Sequence, residues 1–485
     1  MIPFPPFEPD KSKFDANSSS NIVNCIPVAG GWGPLPALVP TSDALPATCK
    51  GAFYVRNKNG EHIIFAGTAA GLYRYNTATL DWDDVSGSSA PYSVATEDRW
   101  EFCVYGGYLL ATNINDPVQR FDIELGTTFE DLPGTPPQAK YMCVAGDFLV
   151  LGYINDGTAY PMQVRWSGVN DPEHWTVGLK GSDFQNLPDG DEVTGFLGES
   201  RGAIVFQRNR IRQMVVTGDV DFAFSFDVIN PKRGVIAPLS RATIGPAQYV
   251  YLSLDGFMMN AEGMAIGAER VDKWFFDTID KTKVYEIRAV PDPYNKVVWW
   301  QAEEPSGDKF LLGYHWQLDR WCLADNHISE MFDMITPAIS IDGMDNYFAT
   351  IDDASTTAFD SRQFAGGVAA FAAFDTDNKL GFYTGTPQAA TLDTAVLQHI
   401  PGRRAYADEM QVYTDAGTYT LAVSATAKYS DVASFGSAVS PETRTGLCHS
   451  RAAGRLHQYR LAIPAGTDWT HAHGLDVNAS EDGEA

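Results

Sequence analysis

The sequence predicts an all-β protein: a β-propeller of about six to seven blades, followed by a C-terminal antiparallel β-sandwich. Three observations support this. No long stretch shows helical periodicity, and 43 Gly and 28 Pro are spread over 485 residues, as turns between many short strands require. A unit of about 47 residues recurs along most of the chain. Beyond residue 375 that period is lost, and alternating apolar and polar runs replace it.

The repeating unit is clearest at residues 63–86, IIFAGTAAGLYRYNTATLDWDDVS. Residues 63–65 are apolar and β-prone, and Gly67 ends this run. Residues 72–75 form a second run, and a polar turn separates it from Trp82. Further units are predicted from runs at 100–104, 108–112 and 118–124; 142–151 and 162–175; 202–206, 211–216 and 222–229; 249–259; 284–290, 296–300 and 310–316; and, for a possible seventh, 346–350 and 356–360.

Large aromatic residues mark the period. The series is Trp32, Trp82, Phe129, Trp175, Trp274 and Trp321. Successive members are 50, 47, 46, 99 and 47 residues apart, and the interval of 99 is two steps. Four-stranded propeller blades take about 40–50 residues each, and large side chains at equivalent positions would fill the gaps between blades. A large β-sandwich or barrel with coincidental spacing is the alternative.

Four segments are predicted. Residues 1–21 form an extended arm rich in Pro and Ser, which either packs on a neighbour or is a disordered tail. Residues 22–374 form the propeller, and residues 375–478 form a separate sandwich of strands with one wet face. Residues 479–485 are an acidic, frayed tail.

The net charge of −26 argues against wrapping nucleic acid or docking on an anionic membrane, because both need a basic surface. It fits either plain solubility or a surface that must not stick to a passing polyanion. The N-terminus has no apolar core typical of a secretory signal, so we expect synthesis in a cytoplasm. The six Cys include no CxxC pair, which predicts buried free thiols rather than a zinc site.

No catalytic set, cofactor site or metal site is predicted. His471 and His473 would share one face of a strand, but no third ligand lies near them in sequence. Two acidic turns, PDGDE at 188–192 and PDPYN at 291–295, lack the spacing of a calcium loop. The stretch SGVNDPEHW at 167–175 lacks the glycine of a sialidase Asp-box and does not recur, so no carboxylate pair can be assigned to hydrolysis.

Arginines concentrate in the last hundred residues of an otherwise acidic chain. Arg403, Arg404 and Arg455 are the candidate subunit-interface residues, with Arg451 and Arg460 nearby. They are expected either to form ion pairs across a subunit boundary or to stay on the surface without partners.

Five stretches together resemble the tail nozzle, or packaged-DNA stabilisation, proteins of short-tailed bacteriophages. They are NIVNCIPVAGGWGPLPAL, RWEFCVYGGYLLATNINDPVQRFD, RWSGVNDPEHW with DFQNLPDG, DGFMMNAEGMAIGAERVDKWFF, and RAAGRLHQYRLAIPAGTDWTHAHGLDV. They are spread over most of the chain and are structural in character rather than a catalytic fingerprint.

The resemblance implies a virion protein, made in the bacterial host cytoplasm, that forms a homohexameric ring. The ring would sit below the portal and adaptor, be surrounded by tail fibres or spikes, retain packaged DNA and pass it at ejection without reading its sequence. Gate residues cannot be assigned from the resemblance. Two alternatives stay open: a propeller-type tail depolymerase or glycosidase, and a non-enzymatic receptor-binding propeller.

Overall fold

The computed structural model describes residues 1–219, 222–325, 328–336, 367 and 369–482. Within them the chain is almost entirely β, as the sequence predicts. The exceptions are one α-helix, α1 (Asp272–Thr278), and three short 3-10 segments, Pro188–Gly190, Pro238–Ser240 and Lys281–Glu286. Among the described residues, no helix is long and apolar enough to span a membrane.

Five strands come first: β1 (Ile2–Pro3), β2 (Ile22–Val23), β3 (Cys25–Val28), β4 (Gly31–Pro34) and β5 (Pro36–Ala44). Sheets 1 to 3 follow as β6 (Ala52–Arg56), β7 (His62–Gly67), β8 (Leu72–Tyr75) and β9 (Trp82–Asp84); β10 (Glu101–Tyr105), β11 (Tyr108–Thr112), β12 (Gln119–Asp122) and β13 (Glu130–Asp131); and β14 (Gln138–Ala145), β15 (Phe148–Asn155), β16 (Ala159–Trp166) and β17 (Asp183–Asn186).

Sheets 4 to 6 continue this pattern as β18 (Val193–Glu199), β19 (Gly202–Gln207), β20 (Ile211–Val216) and β21 (Phe224–Asn230); β22 (Ala242–Gly245), β23 (Gln248–Ser253), β24 (Gly256–Met259) and β25 (Met264–Ala265); and β26 (Arg288–Asp292), β27 (Val297–Glu303), β28 (Lys309–His315) and β29 (Arg320–Ala324). Sheet 7 contains β30 (Glu330–Ile335), β31 (Ala369–Phe374) and β32 (Lys379–Pro387). The last strands are β33 (Ala390–Asp393), β34 (Ala405–Thr414), β35 (Thr420–Thr426), β36 (Leu447–Gly454), β37 (Leu456–Ile463) and β38 (Ala472–Glu481).

The first strands of these sheets are neighbours in chain order. β6 lies beside β10, β10 beside β14, and β14 beside β18; β22 lies beside β26, β26 beside β30, and β30 again beside β6. Sheets 4 and 5 are joined by a shared apolar cluster that includes Phe206 and Tyr251. The succession of sheets therefore returns to its starting point within the described residues.

The fourth strand of sheet 7 comes from the other end of the chain. β5 pairs antiparallel with β32, for example Val39 with Phe382, and so completes the order β30-β31-β32-β5. The runs that predicted a seventh unit, at 346–350 and 356–360, lie outside the described residues. Because β31 and β32 belong to one sheet, the predicted boundary after residue 374 falls inside that sheet.

The residues after 389, called here the C-terminal module (390–482), share their sheets with the N-terminal strands. β2 lies between β29 and β33, so sheet 6 continues as β29-β2-β33-β37-β35. A second sheet has the order β3-β4-β38-β34-β36, with β1 also on β38. Side chains from both module sheets and from sheets 5 and 6 form one apolar cluster. The module therefore has no core of its own, contrary to the predicted separate sandwich.

The opening residues of the chain are packed on the rest of it. Phe4 and Phe7 are buried, Trp32 Nε1 donates to Phe4 O at 2.9 Å, and the Phe7 and Trp274 rings meet edge to face at 5.0 Å. Asp10 accepts hydrogen bonds from the first turn of α1. The arm therefore lies on its own chain. At the other end, residues 479–481 of the predicted tail belong to β38.

Two aromatic residues of the spacing series lie in places that the repeat does not predict. Trp32 lies in β4 of the module sheet, and Trp274 lies in α1. Trp82 and Trp321 do occupy equivalent fourth strands, β9 and β29. The aromatic series therefore recurs because the units have similar lengths, and not all of its members pack at equivalent positions in their units.

The first unit shows why its residues fold as they do. An added Cβ on Gly67, at the end of β7, would lie 2.2 Å from Cδ1 of Trp100. Trp100 is buried on this glycine, and its Nε1 donates to Thr68 O at 2.9 Å. Glycine therefore lets the indole of the next unit lie directly on the strand.

All six cysteines are free thiols, as predicted. Five are buried, and Cys103 is half-buried. Burial raises the pKa of each thiol, so none of them has the lowered pKa of a reactive cysteine.

Candidate functional site

A charged residue lies within two positions of the start of the first strand in each of the seven sheets. These residues are Lys50, Glu101, Lys140, Glu192, Arg241, Arg288 and Glu330, called here the charged ring. Contacts among them and their neighbours connect sheets that are not consecutive in the chain. The starts of the first strands of sheets 2, 5, 6 and 7 therefore lie close to one another.

Arg241, which precedes sheet 5, reaches sheets 2, 3 and 4. Its Nη2 donates to Glu101 Oε1 at 2.6 Å, and its Nη1 donates to Thr194 O at 3.2 Å. Its guanidinium also lies over the ring of Tyr141, 5.8 Å from the centroid. One side chain thus joins four sheets at the centre.

A second group joins sheets 2, 6 and 7. Glu330, whose side chain is 3% exposed, contacts the guanidinium groups of Arg99 and Arg288. The distance from Arg99 Nε to Glu330 Oε2 is 3.5 Å. One buried side chain therefore bridges two arginines from different parts of the chain.

A cavity of about 350 Å³ opens beside these groups. Its walls come from the segment before β10, from β14 and β15, and from the residues that lead into β18 and β22. Lys140 forms an ion pair with Asp98 at 2.7 Å in one wall, and Glu192 forms one with Arg208 at 3.1 Å in another. Arg208 and Glu97 are exposed, so they lie where the cavity meets solvent.

Three tyrosines line the same cavity: Tyr141, Tyr153 and Tyr285. Lys140 Nζ lies over the Tyr153 ring, 4.8 Å from its centroid. Burial raises the pKa of Tyr141, and burial together with Glu286 raises the pKa of Tyr285, so both phenols are protonated at neutral pH. They can donate hydrogen bonds as well as offer aromatic faces.

Tyr153 has an unusual backbone. Its φ is +56°, and the pairing of β15 with β16 shifts register between Gly152 and Ile154. A bulky residue at positive φ is strained, and bulges re-aim side chains near functional sites. The bulge places this tyrosine in the cavity wall.

Most acidic side chains of the cavity wall form an ion pair with a basic side chain. Asp98, Glu101 and Glu192 each have a cationic partner, so the arrangement differs from the two free carboxylates that glycoside hydrolysis needs. Across the part of the chain that the structure describes, no group of three His, Cys, Asp or Glu side chains is placed to hold a metal ion. The cavity is thus suited to binding by stacking and hydrogen bonding.

Residues singled out in the sequence lie elsewhere. The His471 and His473 rings are neighbours, 4.7 Å apart, and His473 Nδ1 bonds to Gly30 O at 3.0 Å. In the two acidic turns, Asp189 forms an ion pair with Arg210 at 2.8 Å, and Asp292 accepts from the backbone of its own turn.

The three predicted interface arginines lie on the surface of the C-terminal module. Arg403 contacts Glu481, and Arg404 forms an ion pair with Asp482 at 3.2 Å within the same chain. The exposed guanidinium of Arg455 has neither an ion pair nor a hydrogen bond among the described residues. Within the part of the chain that the structure describes, it is the one of the three whose charge has no partner.

Sequence reasoning missed the charged ring and Tyr153. The units were compared by their aromatic residues; alignment on the first strand of each unit would have placed seven charges in register. Tyr153 carried no local signal, because residues that adopt positive φ are usually Gly, Asn or Asp.

No protein-family model matches this chain, and no curated protein matches it. Among solved structures, it is similar to a computationally designed protein, Ika8, in a P63 crystal form. The two share 9% sequence identity with a TM-score of 0.38, and the match covers 71% of this chain and 98% of that one.

Proposed function

We propose that this chain is a structural subunit of a bacteriophage tail nozzle. One observation carries the proposal beyond the sequence resemblance: residues 1–44 supply strands to three sheets that are otherwise built from later parts of the chain. The first and last described strands, β1 and β38, also pair with each other. Such a body suits the wall of a conduit that must hold packaged DNA under load.

In this proposal the seven sheets are the blades of one propeller. The support is the sequence of neighbouring first strands, which returns from β30 to β6, and the charged ring at their common centre. β5 would then close the circle by completing the last blade with an N-terminal strand.

Six copies would assemble through one heterologous interface repeated around an axis. Arg455 is the natural contributor to that interface, because its charge has no partner within the described residues. In the ring, Arg403 and Arg404 would form ion pairs with carboxylates of a neighbouring subunit, in place of or in addition to Glu481 and Asp482 of their own chain. The ring would sit below the portal and adaptor, carry fibres or spikes, and belong to the virion tail.

The net charge of −26 fits a passage for DNA. Phosphate backbones bind proteins mainly through Lys and Arg, so an acidic lumen would repel DNA and keep it sliding. The enzymatic alternative is less well supported, because three carboxylates in the central cavity are already ion-paired.

The proposal is tested by electron microscopy and native mass spectrometry of the full chain. We expect six-membered rings, and we expect labelling in phage particles to place the protein at the end of the tail tube. Monomers at high concentration, together with particles that contain no such ring, would contradict it.

A matched pair of variants tests the interface. Arg455→Glu should weaken the ring, since it reverses a surface charge that has no partner among the described residues, whereas Arg444→Glu reverses an exposed charge at the opposite end of β36. Equal assembly of both variants would remove Arg455 from the interface without affecting the ring itself.

A further inference from the structure

We propose that the central cavity binds a neutral saccharide, either a free monosaccharide or the end unit of a longer glycan. The volume of about 350 Å³ lies near the lower limit of small-molecule pockets, which span about 300–1,000 Å³. It is enough for one pyranose ring. The inference is independent of the nozzle proposal, because it concerns what a single subunit binds.

The cavity wall contains a tyrosine with a strained backbone, Tyr153. Tyr153 keeps a φ of +56° at a bulge, although glycine, which has no Cβ, would relieve the strain. Outliers of this kind cost free energy, persist only where the surrounding structure enforces them, and are common at ligand-binding sites. Lys140, which is itself held by Asp98, lies over one face of the Tyr153 ring, so this tyrosine is pre-positioned in the cavity wall.

The cavity wall combines aromatic rings with side chains that donate or accept hydrogen bonds. The C–H face of a sugar ring packs on aromatic rings, and its hydroxyls both donate and accept hydrogen bonds. The cavity offers aromatic rings at Tyr153 and Tyr285, carboxylate acceptors at Glu97 and Glu192, and a cationic donor at Lys140. A few convergent polar groups on an apolar and aromatic wall are typical of small-molecule sites.

The basic side chains of the cavity wall are balanced by carboxylates, which favours a neutral ligand. Lys140, Arg208 and Arg241 are each already paired with a carboxylate. A phosphate or a uronate would have to compete with these carboxylates for the same cations. A neutral polyol can hydrogen-bond to the ion pairs without separating them.

The experiment is a binding screen with the full chain, using saturation-transfer NMR and calorimetry. The probes are neutral hexoses and N-acetylhexosamines, with glucuronate and inorganic phosphate as charged probes. We expect saturable binding of at least one neutral sugar and none of phosphate. Binding of the charged probes alone, or of no probe, overturns the proposal.

Tyr153→Gly is the decisive variant. Glycine tolerates the positive φ, and this relief offsets part of the packing lost with the ring, so the variant should still fold while it lacks the ring. We expect its affinity for the bound sugar to fall roughly tenfold. Tyr160→Ala, an exposed tyrosine on the next strand, β16, is the control and should bind normally. Unchanged binding by Tyr153→Gly would refute the site.

Discussion

At the scale of single residues, the centre of the molecule depends on buried charge. Glu330 lies between Arg99 and Arg288, and its side chain is 3% exposed. Glu330→Gln keeps the shape but leaves two partly buried cations without their counter-ion, which should destabilise the fold by about 3–5 kcal/mol. Glu130→Gln, at a 63%-exposed carboxylate that pairs with Arg120, should cost less than about 1 kcal/mol.

Thermal unfolding of the two variants measures the difference. The charge change is the same in both variants, but the Glu330 site is buried, whereas Glu130 is exposed and its partner Arg120 keeps a second carboxylate, Glu173. Equal shifts in Tm would mean that the Glu330 cluster is solvated and does not hold the three sheets together.

A pair of histidines in the C-terminal module predicts acid sensitivity. His399 Nε2 bonds to Tyr459 Oη at 2.6 Å, and its ring lies 5.0 Å from that of His457. Burial, together with His457, lowers the pKa of His399 to about 4. The unfolded chain, with a pKa near 6.5, therefore takes up this proton more readily than the folded one.

Because the unfolded chain binds this proton more tightly than the folded one, acid destabilises the folded protein. The stability contributed by neutral His399 is fully present above about pH 6.5 and is lost as the pH falls towards about 4. We expect the Tm of His399→Gln to fall less steeply than that of the wild type between pH 7 and pH 4. Parallel Tm profiles would show that His399 does not titrate differently in the two states.

At the scale of elements, α1 receives its N-terminal cap from the other end of the chain. Asp10 accepts from the backbone N–H of Lys273 at 2.8 Å and of Trp274 at 2.7 Å. This fixes the arm on the helix, and the Glu8–Arg270 ion pair at 2.6 Å reinforces it. A lost cap costs about 0.5–2 kcal/mol, so Asp10→Ala should loosen the arm.

Limited proteolysis with trypsin reports this loosening, because the arm carries Lys11 and Lys13. We expect Asp10→Ala to be cut there faster than the wild type. Asp15→Ala is the matched control, since Asp15 caps only its own turn at Asn17. If both variants were cut at the same rate, the cap would not be what holds the arm.

The elements differ in how well the sequence predicts them. Residues 63–65 and 72–75 predicted β7 and β8, because apolar β-prone runs bounded by turn residues are local signals. α1 was missed, because seven residues are too few to show helical periodicity and its cap, Asp10, is 263 positions away from Lys273. β2 and β5 were assigned to no later sheet, since partners 300 or more residues distant leave no local trace.

The candidate site was less predictable than the fold. Lys140 and Asp98 are ordinary charged residues in sequence, and only the convergence of first strands brings them together. The positive φ of Tyr153 arises at a β-bulge, and position 153 itself is not a Gly, Asn or Asp that would indicate it in the sequence. Local patterns thus predict strands, whereas the cavity results from long-range closure.

At the scale of the whole molecule, the question is whether the C-terminal module is a separate unit. The sequence predicts a boundary there, because composition and period change near residue 375. The structure instead shows one apolar cluster that contains Leu461 and Tyr459 of the module together with Trp300 and Leu312 of sheet 6. Units that share a core are expected to unfold together.

Hydrogen exchange on two cavity-forming variants decides this. Leu461→Ala removes a fully buried side chain from the shared cluster and should cost about 2–5 kcal/mol. We expect amide exchange to rise in β27 and β28 as well as in the module. Leu149→Ala makes a similar change in the separate cluster between sheets 2 and 3 and should leave the module protected. Exchange confined to residues 390–482 in Leu461→Ala would instead restore the independent domain that composition predicts, because a cavity can destabilise only the unit that cooperates with it.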